Sequence, residues 1–195
     1  RVLHDGPTQE VVKTYLNSGF GASASREWPD PSKAPGAEVA RLRAARVKAE
    51  DGQVADALDI RRPFTLEMEY EVLRPGYVLA PHFHLVNEVG DLIFITQDLD
   101  PQWRRRTRPI GHYQSCVEIP GNLLTEGTVF VGCHCITLAP DIVQFSVPEA
   151  IAFHVIDSLD GDSARGDYVG IMPGAVRPLL NWSTTLRDSV RSSFL

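Results

Sequence analysis

Two histidines stand two residues apart in Pro81-His82-Phe83-His84-Leu85-Val86, and a third lies between two thiols in Cys133-His134-Cys135. Alternate residues of a β-strand share a face. If Phe83 and Leu85 are buried, His82 and His84 point together to the other side. In the run Thr128 to Ile136, the row Val129, Val131, Cys133 and Cys135 suits burial, which turns Phe130 and His134 outward. In Ile151 to Ile156, Phe153 and Val155 go inward and His154 outward. Imidazoles donate and accept hydrogen bonds, and an aromatic ring offers an apolar platform; sugar binding needs that mixture. Outward polar residues are also what half-exposed strands carry in any case. Trp103 and Tyr113 add two more candidate stacking rings, Trp103 reading equally well as a loop anchor.

Other chemistries find less support. Gly76 through His82, His84 and Glu88 resembles the first metal-binding signature of the cupins, in which two histidines and a glutamate hold one divalent ion. Ile95 stands where that signature has a glycine, and the second cupin signature is not recognisable near Ile119-Pro-Gly-Asn. A metal-dependent cupin enzyme acting on a small molecule or sugar nucleotide is therefore the alternative reading. Cys133 and His134, as neighbours on a strand, point to opposite faces and do not make a zinc pair. The motifs GxSxG, HExxH, GxGxxG and GxxxxGK[ST] are absent from the sequence. The expectation is a segment without catalytic residues, metal or cofactor that neither binds nor hydrolyses ATP. Trp103-Arg104-Arg105-Arg106-Thr107-Arg108 is the one local basic cluster, read as a solvated loop ahead of a phosphate or headgroup contact. Asp157, Asp160, Asp162 and Asp167, in and before Asp160-Gly-Asp-Ser-Ala-Arg-Gly-Asp167, lack calcium-loop spacing and read as a polar turn.

The elements that must position these residues are short. Val11, Val12, Tyr15 and Leu16 fall on one helical face after Pro7, predicting a short helix within 1–19. Residues 20–37, with Pro29, Pro31 and Pro35 among Gly, Ser and Ala, read as a linker. From 38 to 181, brief alternating or apolar runs recur between turn signals without a long helical pattern, which predicts an all-β antiparallel sandwich of the Ig-like or jelly-roll type. The runs begin near Glu38, Pro63, Val78, Asp91, Gly111, Gly127, Ile142 and Ile151, with a further strand around Asp167 to Leu180. The first of them has helix-leaning Ala, Arg and Leu content but is read as a strand. Residues 182–195 form a C-terminal tail.

With 195 residues, 43% of them hydrophobic, the chain can bury a substantial core in one main unit. A net charge of −6 argues against the basic field that nucleic-acid binding requires. Three cysteines, two of them around one histidine, do not suggest a disulfide framework and fit a reducing cytoplasm. The opening Arg1 rather than Met, with a helix at once, suggests a piece of a longer polypeptide.

Phe64-Thr-Leu-Glu-Met68, Asn87-Glu-Val-Gly90-Asp-Leu-Ile-Phe94, Thr96-Gln-Asp98, Gly111-His-Tyr113, Ile119-Pro-Gly-Asn-Leu-Leu124 and Glu126-Gly127-Thr128 occur in that order. Together they resemble the C-terminal carbohydrate-binding domain of Wzt-type ATP-binding subunits of O-antigen and polysaccharide ABC exporters. The opening Gly6 to Leu16 is similar to the segment that trails the ATPase domain of such transporters. The resemblance implies a dimeric β-sandwich that binds the finished end of a lipid-linked glycan at the inner face of the inner membrane. Its partners would be the glycan, a second copy, and, through the ATPase domain, the transmembrane subunit. Within that frame, the candidate sugar-binding residues are His82, His84, Phe130, His134, His154, Trp103 and Tyr113, taken from the strand faces rather than from the family.

Overall fold

The structure is a computed structural model that describes residues 23–187. The helix expected within 1–19 lies outside the described residues. Among the described residues there are nine strands: β1 Ser25–Glu27, β2 Ala40–Ala49, β3 Ala57–Asp59, β4 Phe64–Val72, β5 Leu79–Asn87, β6 Leu92–Gln97, β7 Gly111–Ile119, β8 Gly127–Leu138 and β9 Asp141–Ile156. They form two sheets, in the orders β1-β2-β4-β7 and β3-β9-β8-β5-β6, antiparallel except where β3 joins β9. The expected all-β sandwich is the observed architecture. No helix among the described residues is long and apolar enough to cross a membrane.

Alternation decides what the sheets bury. Leu66, Met68 and Tyr70 of β4 and Leu42 and Val47 of β2 face Phe83 and Leu85 of β5, Val131, Cys133 and Cys135 of β8, and Ile151 and Phe153 of β9 in one core. Phe64 and Phe153 meet across it with ring centroids 4.9 Å apart. Each large apolar side chain so buried contributes about 1.5–3 kcal/mol. This burial overrides the helical leaning of β2, whose apolar residues keep a two-residue period except at a bulge between Leu42 and Ala44.

Three elements differ from expectation. Within the expected linker, β1 pairs with the edge of β2, because buried Ala24 before it and Trp28 after it anchor the chain there. The two runs expected at 142–150 and 151–157 are one strand, β9, because both halves pair with the twelve-residue β8. The register shifts opposite Gly132, in the stretch holding Pro148, where the missing N–H does no harm to the ladder. The strand expected around Asp167 to Leu180 is absent. Pro173 and Pro178 interrupt that segment, which keeps one bridge, Val176 to Leu124, and backbone bonds from Arg177 and Leu179 to the Leu123 and Asn122 carbonyls.

The motifs quoted for the family resemblance do turn and closure work. Asn87 Oδ1 accepts from the Val89 and Asp91 N–H groups, with Gly90 at φ 93° completing the β5–β6 turn. At Gly121 the chain passes so close to the Arg61 backbone that a Cβ would lie 2.1 Å from its carbonyl oxygen. Glu126 receives Arg165 and Arg177, the latter at 2.5 Å, and so ties the C-terminal segment to the start of β8.

Candidate functional site

Strands β5 and β8 pair with His82 directly opposite His134 and His84 opposite Gly132. These residues lie on the outer face of the five-stranded sheet, as alternation predicts, while Phe83, Leu85, Cys133 and Cys135 lie in the core. Burial holds the Cys133 and Cys135 thiols protonated, raising Cys135 to about 12. The three imidazoles touch. Ring centroids are 5.2 Å apart for His82 and His84, 5.3 Å for His82 and His134, and 4.0 Å for His84 and His134.

Gly132 makes this contact possible. A Cβ there would sit 2.5 Å from His134 Nε2 and 2.7 Å from the Pro148 carbonyl oxygen, so a side chain at 132 would push His134 off its neighbours. His134 Nδ1 lies 3.0 Å from Ser146 Oγ, the residue opposite on β9. His82 Nδ1 lies 2.9 Å from the Ala80 carbonyl oxygen. A carbonyl only accepts, so His82 Nδ1 is the donor in this contact. Burial, with the neighbouring histidines adding to it, lowers His134 to about 4, and burial lowers His84 as well. Both rings are therefore neutral near pH 7.

The other expected residues are placed elsewhere. Phe130 is on the same face but only 5% exposed, clustered with Ala152 beside Ala57 and Val86, so its ring is not the open platform expected. His154 lies across from Thr128, whose hydroxyl is 3.2 Å from Nδ1. Thr128 is six residues from His134 along β8, about 20 Å at strand rise. Burial lowers the His154 pKa against the opposing charge of Glu88. Glu88, the third member of the cupin-like pattern, lies beside Gly127 rather than in the histidine group.

Trp103 and Tyr113 form a second centre, between the sheets. Their rings meet edge to face at 5.4 Å, Tyr113 stacks on Tyr70 at 5.5 Å, and the Arg108 guanidinium lies 5.7–5.9 Å from all three rings. Arg108 thus leaves the basic cluster: it is buried, donating to the Leu79 carbonyl oxygen at 2.9 Å and to Asp98 Oδ2 at 2.8 Å. Arg104, Arg105 and Arg106 remain exposed, in keeping with a solvated loop. Asp98 also accepts from Ser115 Oγ at 3.0 Å. Asp98 and Ser115 line a cleft of about 340 Å³ between the edge strands β6 and β7, with Thr96, Gln97, Asp100 and the apolar Pro81, Leu99 and Val117. Tyr113 borders a smaller hollow of about 250 Å³ with Arg43, Glu69, His112 and Gln114.

Sequence reasoning found the histidines and aromatic rings but missed Gly132, Ser146, Asp98 and Arg108. The GCHC spacing held a signal for Gly132, since a small residue two before an outward histidine leaves its ring room. Asp98 and Arg108 are ten positions apart and meet only because the β6–β7 loop folds back.

No family model matches the sequence, and no curated protein matches it. Among solved structures, the C-terminal domain of Wzt is similar with a TM-score of 0.60 at 13% identity, over 88% of this chain and 95% of that one. A structural-genomics target, SoR45, is similar at a TM-score of 0.29 and 10% identity, over 60% of this chain and 86% of that one, too distant to bear on the fold. The two-sheet sandwich therefore has the fold of the C-terminal domain of Wzt.

Proposed function

We propose that this sandwich is a noncatalytic carbohydrate-recognition domain. In this reading it binds terminal or modified sugars of a lipid-linked bacterial polysaccharide such as O-antigen and couples chain completion to export by an ABC transporter. The observation that carries the reading is the cleft between β6 and β7. There the fixed Asp98 carboxylate, the Thr96 and Ser115 hydroxyls and the Gln97 amide lie beside apolar walls, with Trp103 half-exposed nearby. Sugars present hydroxyls on their rims and C–H groups on their faces, so they need this combination. The shared fold with the C-terminal domain of Wzt supports the exporter setting.

The same reading places the domain at the cytoplasmic face of the inner membrane, joined to the transmembrane subunit through an ATPase domain. It also makes the domain a homodimer, with Ile171, Leu179, Leu180 and Trp182 as exposed apolar side chains available to a second copy. Pairing two weak sites on one transporter raises effective affinity without new contacts. The cupin alternative loses its support, since Glu88 stands apart from the histidines.

Titration of the labelled protein with defined oligosaccharides, with capped and uncapped nonreducing ends, tests the reading by NMR. Saturable shifts of Gln97, Asp98 and Ser115 amides for one end type are the expected result. Absence of saturable shifts across the set would overturn it.

A further inference from the structure

The histidine cluster carries more donor capacity than its hydrogen bonds use. One ring nitrogen from each of His82, His84 and His134 lies within 4.8 Å of the other two. His134 Nε2 is buried with no hydrogen-bond partner, although the residue is only 9% exposed. Its other nitrogen is held by Ser146, and the corresponding nitrogen of His82 by the Ala80 carbonyl. That is how metal-ligating imidazoles are held: one nitrogen fixed by a neighbour and the other left to the ion. The backbone arrangement is also suited. Two donors come from alternate positions of β5, the third from directly across on β8, and the glycine opposite His84 leaves the third ring free to approach.

We propose that His82, His84 and His134 form a three-histidine site for a divalent transition-metal ion, zinc first, with a fourth position open to a solvent or ligand oxygen. Zinc–imidazole bonds of about 2.0–2.1 Å at tetrahedral angles place ligand nitrogens roughly 3.4 Å apart, so side-chain rotation closes the site without moving the strands. An all-imidazole set suits Zn, Cu, Ni or Fe over Mg or Ca, which take oxygen ligands. His82 and His84 are half-buried, so an ion reaches the site from the sheet surface. The set differs from the cupin pattern: Glu88 is replaced as third ligand by a histidine of the neighbouring strand. The inference stands on the cluster and does not rest on the carbohydrate reading, whose cleft lies between the sheets.

Calorimetric titration of chelator-stripped protein with zinc, and visible spectroscopy of the same protein with cobalt, test it. The expected result is one equivalent of zinc bound at micromolar affinity or tighter, the intense visible bands of four-coordinate cobalt, and a metal-dependent rise in Tm. His84→Ala changes a half-buried side chain, and it abolishes all three while circular dichroism and metal-free Tm report its folding. His112→Ala and His154→Ala retain all three. No saturable zinc binding by the parent protein would overturn the proposal. So would unchanged binding by His84→Ala together with a His82→Ala variant, which would put the ion elsewhere. If His84→Ala is unfolded, His134→Gln gives the second reading of the same loss.

Discussion

At the scale of single residues, the molecule commits small groups to hold large ones. Gly132 keeps the His134 ring against His84, and there is no room for even a methyl between it and Pro148. Gly132→Ala is expected to destabilise by about 1–3 kcal/mol through overpacking and to shift the side-chain resonances of His82, His84 and His134, read by urea denaturation and histidine NMR. On the outer face of the other sheet, Glu67 is nearly buried and accepts from Arg46 at 2.8 Å and Lys48 at 2.5 Å. Burial alone would raise its pKa, but those two cations outweigh it and hold the carboxyl below its ordinary 4.5. A lowered folded-state pKa means the stabilisation is complete above that ordinary value and is lost as pH falls through the folded one. Denaturation midpoints measured from pH 6 down to pH 3 should therefore drop on an acid limb that Glu67→Gln flattens, with a lower midpoint at neutral pH.

At the scale of elements, the edge strands and the C-terminal segment are joined to the sandwich by ion pairs placed where strands end. Arg108 is buried between β5 and the β6–β7 loop, and Asp98 is its one carboxylate partner among the described residues. Asp98→Ala leaves that guanidinium buried and uncompensated, which costs about 3–5 kcal/mol and should also remove oligosaccharide-induced shifts in the cleft, measured by denaturation and by NMR on whatever fraction remains folded. Glu126 is the common anchor of Arg165 and Arg177. Glu126→Ala is expected to loosen residues 165–180 while the strands persist, seen as faster proteolytic cleavage in that segment at unchanged strand signal in circular dichroism. Glu126 meets partners 39 and 51 positions away, and charge spacing along the chain does not reveal them.

At the scale of the whole molecule, Ile171, Leu179, Leu180 and Trp182 are the exposed apolar side chains that the proposed dimer would cover. In the proposed dimer, Trp182→Ser with Ile171→Ser is expected to shift the protein toward monomer by sedimentation equilibrium, leaving Tm of the sandwich within a few degrees. Much of this organisation was legible beforehand. Period-two alternation depends only on strand geometry, so the core rows of β5, β8 and β9, the outward side of the three histidines and the all-β class followed from residue order alone. What alternation cannot supply is which strands are neighbours. Register brought His134 across from His82, covered Phe130, left His154 about 20 Å away along the strand, and drew Trp103 and Tyr113 to Arg108 at the sandwich edge. The side of a strand is a local property set by the backbone; the company a side chain keeps is set by long-range pairing and burial, and only the folded sheet decides it.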